Sequence, residues 1–190
     1  VKVFGEMFRK GYIYKGLKPV YWCPKDETAL AEAEIEYQED PCTSIYVKFA
    51  LKDTKGKMNA ENTYVIIWTT TPWTLPGNLA IALNPVEDYV VVKAGAENYI
   101  VANALLEKTM KAGGIEDYEI LAAFPGNTFE YMKAQHPFLD RESLVVNADY
   151  VENDNTGLVH TAPGFGPDDY ETGKRYGIEP FCPVGEAGRY

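Results

Sequence analysis

The sequence predicts a mainly β domain with flanking helices, an α+β fold whose short strands form a barrel-like body. Three observations predict it. Short runs rich in Val, Ile and Tyr recur through the middle of the chain, each bounded by Gly, Pro or Asn. Three stretches show helical spacing or helix punctuation. No internal repeat, low-complexity tract or linker interrupts the 190 residues, a length that suits one core with a short appendage.

Taken in order, Val3, Phe4, Met7, Phe8, Tyr12 and Ile13 recur at helical spacing over Val3–Lys15, and Gly16 is a plausible stop. Pro19–Pro24 reads as extended. Over Ala29–Tyr37 two signals compete: Ala and Glu form helices well, yet Ala29, Ala31, Ala33, Ile35 and Tyr37 alternate with Leu30, Glu32, Glu34 and Glu36. Strict period two favours a strand. Strands follow at Ser44–Leu51, Thr63–Thr69, Leu79–Leu83, Asp88–Lys93 and Asn98–Val101. A helix over Ala102–Ala112 is closed by Gly113 and Gly114. Further strands are expected at Tyr118–Phe124, Ser143–Tyr150 and Leu158–Thr161, then a helix from Pro167 to Gly177.

Composition excludes several classes. Hydrophobic residues make up 46% and charged residues 24%, which is globular composition and not disorder. No apolar run approaches the ~18 residues needed to span a bilayer, and no signal peptide opens the chain. It opens on Val1, so it is expected to be a piece of a longer protein. Cys23, Cys42 and Cys182 are widely spaced and odd in number, which argues for a reducing cytosol and no disulfide framework. With His136 and His160 the only histidines, a zinc site is not expected. A net charge of −10 argues against a stand-alone grip on nucleic-acid phosphates. It leaves room for a pocket that receives one end of an RNA.

Two segments carry chemistry. In Trp68–Asn78 an apolar strand runs into Thr69, Thr70, Thr71 and Thr74 with Pro72, Pro76 and a terminal Asn78. A strand end followed by a turn would account for a few threonines. Three in succession beside a proline make a stiff row of donors and acceptors, suited to a sugar hydroxyl, an ester carbonyl or a water. In Asn155–Tyr170 a strand passes through His160, turns at Pro163–Gly166, and enters a helix opening Pro167-Asp168-Asp169. Carboxylates there commonly cap a helix. One of the two can cap while the other meets a ligand. His160 read alone is as well explained by a hydrogen-bonded core histidine.

Together, Trp68–Asn78 and Thr156–Tyr170 closely resemble the editing insertion of class I isoleucyl-tRNA synthetases, and Tyr21–Pro24 with Ala29–Glu34 resembles the connection into it. Valyl and leucyl enzymes resemble an Arg at the place of Thr71 and an acidic residue at that of Trp73, and they lack His160–Pro163. The resemblance implies residues 1–40 as a connecting helix and ribbon and 41–190 as the editing domain, its C-terminal end cut short. It implies Asp169, Thr70, Thr71 and His160 as catalytic residues: Asp169 anchors the α-ammonium, His160 lines the amino-acid pocket, and the threonines lie near the terminal adenosine and the ester. Trp68, Thr69, Trp73, Thr74, Asn78 and Thr161 are implied as substrate contacts, with Trp73 a pocket wall. No metal site is implied. Asn155 stands where the family usually has glycine, and Phe165 where bacterial relatives often have histidine and where no role is assigned.

The implied activity is hydrolysis by water of valine esterified to the isoleucine tRNA. The isoleucyl enzyme is itself the standing illustration that one methylene separates two substrates by only about 150-fold, so a second, smaller site is needed. The implied partners are the tRNA 3′ end and the rest of the synthetase, in the cytoplasm, with no membrane and with the chain as a monomer. ATP and Mg belong to the parent enzyme; no cofactor is implied here. An editing site of a valyl or leucyl sister enzyme, or a non-catalytic tRNA-docking module, are the alternatives.

Overall fold

A computed structural model describes residues 1–190. The first forty residues bury almost nothing. Helix α1 (Lys2–Arg9) stops well before Lys15, where Gly11 turns the chain at φ +78°. It leaves Phe4, Met7 and Phe8 exposed. Strand β1 (Trp22–Cys23) pairs with β2 (Thr28–Ala29) as a small antiparallel ribbon. The strand expected over Ala29–Tyr37 does not form beyond Ala29. A 3-10 turn occupies Glu32–Glu34, and the Glu34 carboxylate accepts a hydrogen bond from the Ala31 N–H at 2.7 Å. Such local bonds compete with strand pairing, and no neighbouring strand is there to bury the alanine face.

The body is a nine-stranded mixed sheet. Its strands are β3 (Ile45–Asp53), β4 (Thr63–Thr69), β5 (Ala80–Leu83), β6 (Asp88–Ala94), β7 (Glu97–Ala102), β8 (Glu119–Pro125), β9 (Lys133–Gln135), β10 (Glu142–Asn147) and β11 (Leu158–Thr161). They lie in the order β11-β5-β10-β9-β3-β4-β7-β6-β8. The pairs β4–β7 and β5–β10 are parallel, the others antiparallel. The sheet does not close by hydrogen bonds into a barrel, since β11 and β8 are its free ends. It curls far enough that β11 and β4 touch although four strands separate them along the sheet. That contact sets the end of Thr63–Thr69 against His160.

Phe49, Ile67, Ile81, Leu83, Tyr89 and Phe129 fill the main core, each burial contributing about 1.5–3 kcal/mol. Helix α2 (Leu106–Ala112) covers a second cluster through Leu106 and Met110. Helix α3 (Pro167–Arg175) leads to Tyr176 and Ile178, which pack on a third. Strand β9 has no β-rich composition; it forms because β3 and β10 pair with it on either side.

Candidate functional site

Where β4, β11 and the start of α3 meet, a cleft of about 490 Å³ opens, lined among others by Trp68, Thr69, Thr70, Thr71, Thr74, His160 and Asp169. The two segments singled out in the sequence, ninety residues apart, therefore share one cavity.

The first wall is hydrogen-bonded within itself. Beyond β4, Pro72–Gly77 winds into a 3-10 helix with Pro72 in its first turn, where its missing N–H costs nothing. The Thr71 N–H donates to the Thr69 hydroxyl at 3.0 Å, and the Thr74 hydroxyl donates to the Thr71 carbonyl at 2.8 Å. His160 Nε2 lies 2.7 Å from the Thr74 hydroxyl, and its Nδ1 lies 3.2 Å from the Asn78 amide nitrogen. Because the Asn78 amide can only donate, Nδ1 accepts and Nε2 carries the proton. Asn78 also donates to the Ala80 carbonyl and accepts from Ser143. Burial pushes the His160 pKa down to about 4, with His136 adding to the shift, so the ring is neutral near pH 7. With both nitrogens occupied, it offers a ligand its surface and no free lone pair. Of the four threonines, only Thr70 takes no part in this network.

The second wall is open to partners. Asp169 Oδ2 accepts from the Ala162 N–H at 2.8 Å, and the Tyr150 hydroxyl beside it further favours the charged carboxylate. Neither Asp168 nor Asp169 caps α3, whose N-cap is Gly166 and has no side-chain bond. Burial raises the Asp169 pKa, opposed by the Ala162 N–H and the Tyr150 hydroxyl and assisted by Asp168. Beside it Tyr150 lines the same cleft, its hydroxyl buried without a partner. Burial first, then the Asp169 charge, raises the tyrosine pKa. At its far end α3 is tied down by Tyr176, whose hydroxyl accepts from the Asn147 N–H at 2.9 Å and donates to Glu130 at 2.5 Å.

Three expected substrate contacts stand elsewhere. Asn78 and Thr161 are fully buried and do not line the cleft. Asn78 instead positions His160. Trp73 is 56% exposed and lines a neighbouring cavity, because the 3-10 helix turns its side chain away from Thr71 and Thr74. Tyr150 and Phe165 line the cleft although the sequence assigned them no role; Tyr150 was placed at the end of a strand, and nothing local marks its hydroxyl as unpartnered. Asn155 adopts φ +57°, a left-handed backbone that glycine favours and asparagine tolerates. The turn therefore survives the substitution.

Known proteins share this fold. The crystal structure of GlLeuRS-CP1 superposes with a TM-score of 0.56 at 16% identity, covering 76% of this chain and 75% of that one. The editing domain of the P. knowlesi cytosolic leucyl-tRNA synthetase gives 0.57 at 15% identity, covering 73% and 65%. The fold is thus that of synthetase editing domains. Residues 1–165 match the family of class I tRNA synthetases (I, L, M and V), and the chain belongs to that family. The isoleucine–tRNA ligase of Caldicellulosiruptor saccharolyticus is 56% identical over 194 residues, covering 99% of this chain. That of Bacillus cereus is 53% identical over 189 residues, again covering 99%. The chain spans only 21% and 20% of the length of these two relatives.

Proposed function

We propose that this chain is the editing module of an isoleucine-specific synthetase and hydrolyses valine esterified to the 3′ end of the isoleucine tRNA. One observation carries the reading: a carboxylate with an open oxygen and an unengaged threonine hydroxyl share one cleft with a self-satisfied wall built around His160. Asp169 anchors the α-ammonium. Thr70 is free to bond the ester or a water. Water adds to the ester carbonyl, the bond to the ribose oxygen breaks, and valine and a free ribose hydroxyl leave. Acceleration comes from holding ester and water in attack geometry, with hydroxyl and backbone donors for the developing oxyanion. His160 acts as a wall, since its nitrogens are taken. A rigid wall rejects one extra methylene at a cost of roughly 1–3 kcal/mol, which favours valine over isoleucine.

The step needs neither ATP nor a metal; those serve aminoacylation elsewhere in the parent enzyme. The partners are the tRNA and the remainder of the synthetase, and the setting is the cytoplasm. The deciding experiment follows release of valine from valyl-tRNA and of isoleucine from isoleucyl-tRNA of the isoleucine type. The valyl ester is expected to disappear first; equal loss of both overturns the size filter. Faster release of threonine from its valine-type tRNA would favour a sister enzyme. The chain alone should bind tRNA weakly, given its net charge of −10. A sub-micromolar Kd at physiological salt would instead favour a docking module.

A further inference from the structure

We infer that an aromatic basin beside the cleft holds the base of the nucleotide preceding the esterified adenosine; this rests on the editing reading. The basin has a volume of about 720 Å³, and its lining includes Lys18, Trp22, Trp73, Phe165, Glu186 and Tyr190. Phe165 also lines the cleft, so the two cavities share a wall. A strand whose last nucleoside occupies the cleft meets the basin next.

The basin is built before any ligand arrives. The Phe165 ring lies against Gly77 so closely that a Cβ there would come within 2.3 Å of it, and a Cβ on Gly164 would come within 2.4 Å of the Phe181 carbonyl oxygen. The Trp22 indole N–H donates to the Glu186 carbonyl at 2.7 Å. These contacts fix Phe165 and Trp22, and Trp73, Trp22 and Tyr190 are 56%, 40% and 63% exposed. Exposed aromatic faces are what a nucleobase stacks on, whatever its identity.

Charge directs the strand the same way. The cleft carries Glu152, Asp154 and Asp169 and no lysine or arginine, which disfavours a phosphodiester on that side. The basin carries one lysine, Lys18, against one carboxylate, Glu186, so it is balanced where the cleft is acidic. In so acidic a chain the strand is held by stacking more than by phosphate contacts.

The test compares the valyl ester of adenosine with the valyl ester of a cytidylyl-adenosine dinucleotide, using the full-length enzyme that carries this chain. The dinucleotide should show a KM roughly tenfold lower, as expected of one stacked base. Trp73→Ala should narrow the ratio of the two KM values to within about threefold, and Trp73→Phe should keep most of it. Hydrolysis of both esters with equal KM overturns this inference alone. So does a ratio that survives Trp73→Ala, or an absent ratio with a Trp73→Ala enzyme that melts early, which would make the basin a packing surface for the rest of the polypeptide. Hydrolysis of neither ester overturns the editing reading, and this inference with it.

Discussion

The two walls of the cleft are built on opposite principles. On the strand side, Thr69, Thr71, Thr74, Asn78 and His160 use their polar atoms on one another. On the helix side, Asp169 takes one backbone hydrogen bond and the Tyr150 hydroxyl beside it makes none of hydrogen-bond length. A polar group already hydrogen-bonded within the protein gains little from a ligand, whereas a desolvated, underused one gains the most. On the proposed function, the strand side supplies shape and the helix side supplies recognition. Each prediction below tests that division.

The largest effect belongs to Asp169. Removing one partner of a buried ion pair typically costs ~3–5 kcal/mol, so Asp169→Ala should lower kcat/KM for valyl-ester hydrolysis roughly 10²–10³-fold, while stability falls by no more than the ~1–3 kcal/mol of the stranded Ala162 N–H. Stopped-flow or discontinuous deacylation assays beside a thermal melt separate the two. A variant that melts early yet hydrolyses normally would return Asp169 to a purely structural role. Since burial raises the Asp169 pKa, the acid limb of kcat/KM should lie above the ordinary carboxylate range.

Next in size is a pH effect on the strand side. His160 is neutral when folded, with its pKa pushed down to about 4 from an ordinary 6.5. A depressed histidine gives full stability above the unfolded value and loses it as pH falls from 6.5 towards 4, because the unfolded chain takes up the proton first. The two values span about 3 kcal/mol. Denaturant unfolding at several pH values should show a steeper slope in the native protein than in His160→Gln, whose remaining slope comes from His136, also held below its ordinary pKa by burial. Asp169 contributes with the opposite sign in both proteins and cancels from the difference. An identical slope in both would mean that His160 is not held neutral.

Asn78→Ala should follow. It strands His160 Nδ1, the Ser143 hydroxyl and the Ala80 carbonyl, all buried partners, at roughly 1–3 kcal/mol. The loss should appear as lower stability, with the preference for valyl over isoleucyl ester relaxed as the His160 ring loosens. A stable variant with unchanged selectivity would show the wall to be rigid without its hydrogen bonds.

Much of this was legible in the chain before the fold was known. Leu158–Thr161 and Thr63–Thr69 form strands with the bounds read from their apolar runs, and the two motif segments meet. What was not legible depends on three-dimensional partners. Period two over Ala29–Tyr37 promised a strand, but a strand needs a neighbour, and a local carboxylate bond won. Strand β9 has the neighbours without the composition. Trp73 sits among the motif residues, yet the 3-10 winding of Pro72–Gly77 decides which way it faces. The self-satisfaction of the strand wall depends on Asn78 reaching His160 across 82 positions, which no local pattern encodes.

The smallest predicted effect is the sharpest test of the helix side, because Asp168 and Asp169 are chemically identical neighbours. Asp168 is exposed, lies in the first turn of α3 and makes no capping bond. Its remaining influences are a favourable one on the helix dipole, worth a few tenths of a kcal/mol at the surface, and a like-charge push that raises the Asp169 pKa. Asp168→Ala loses the first and relieves the second. Stability should stay within about 0.5 kcal/mol of the native protein, as for most surface substitutions. The acid limb of kcat/KM should move to slightly lower pH while the rate near neutrality is unchanged. Denaturant unfolding and a pH–rate profile measure both. A loss above about 1 kcal/mol would restore the capping role that the sequence suggested. A collapse of activity would mean that the anchor on the helix wall is Asp168 and that the carboxylate bonded to Ala162 merely holds the turn.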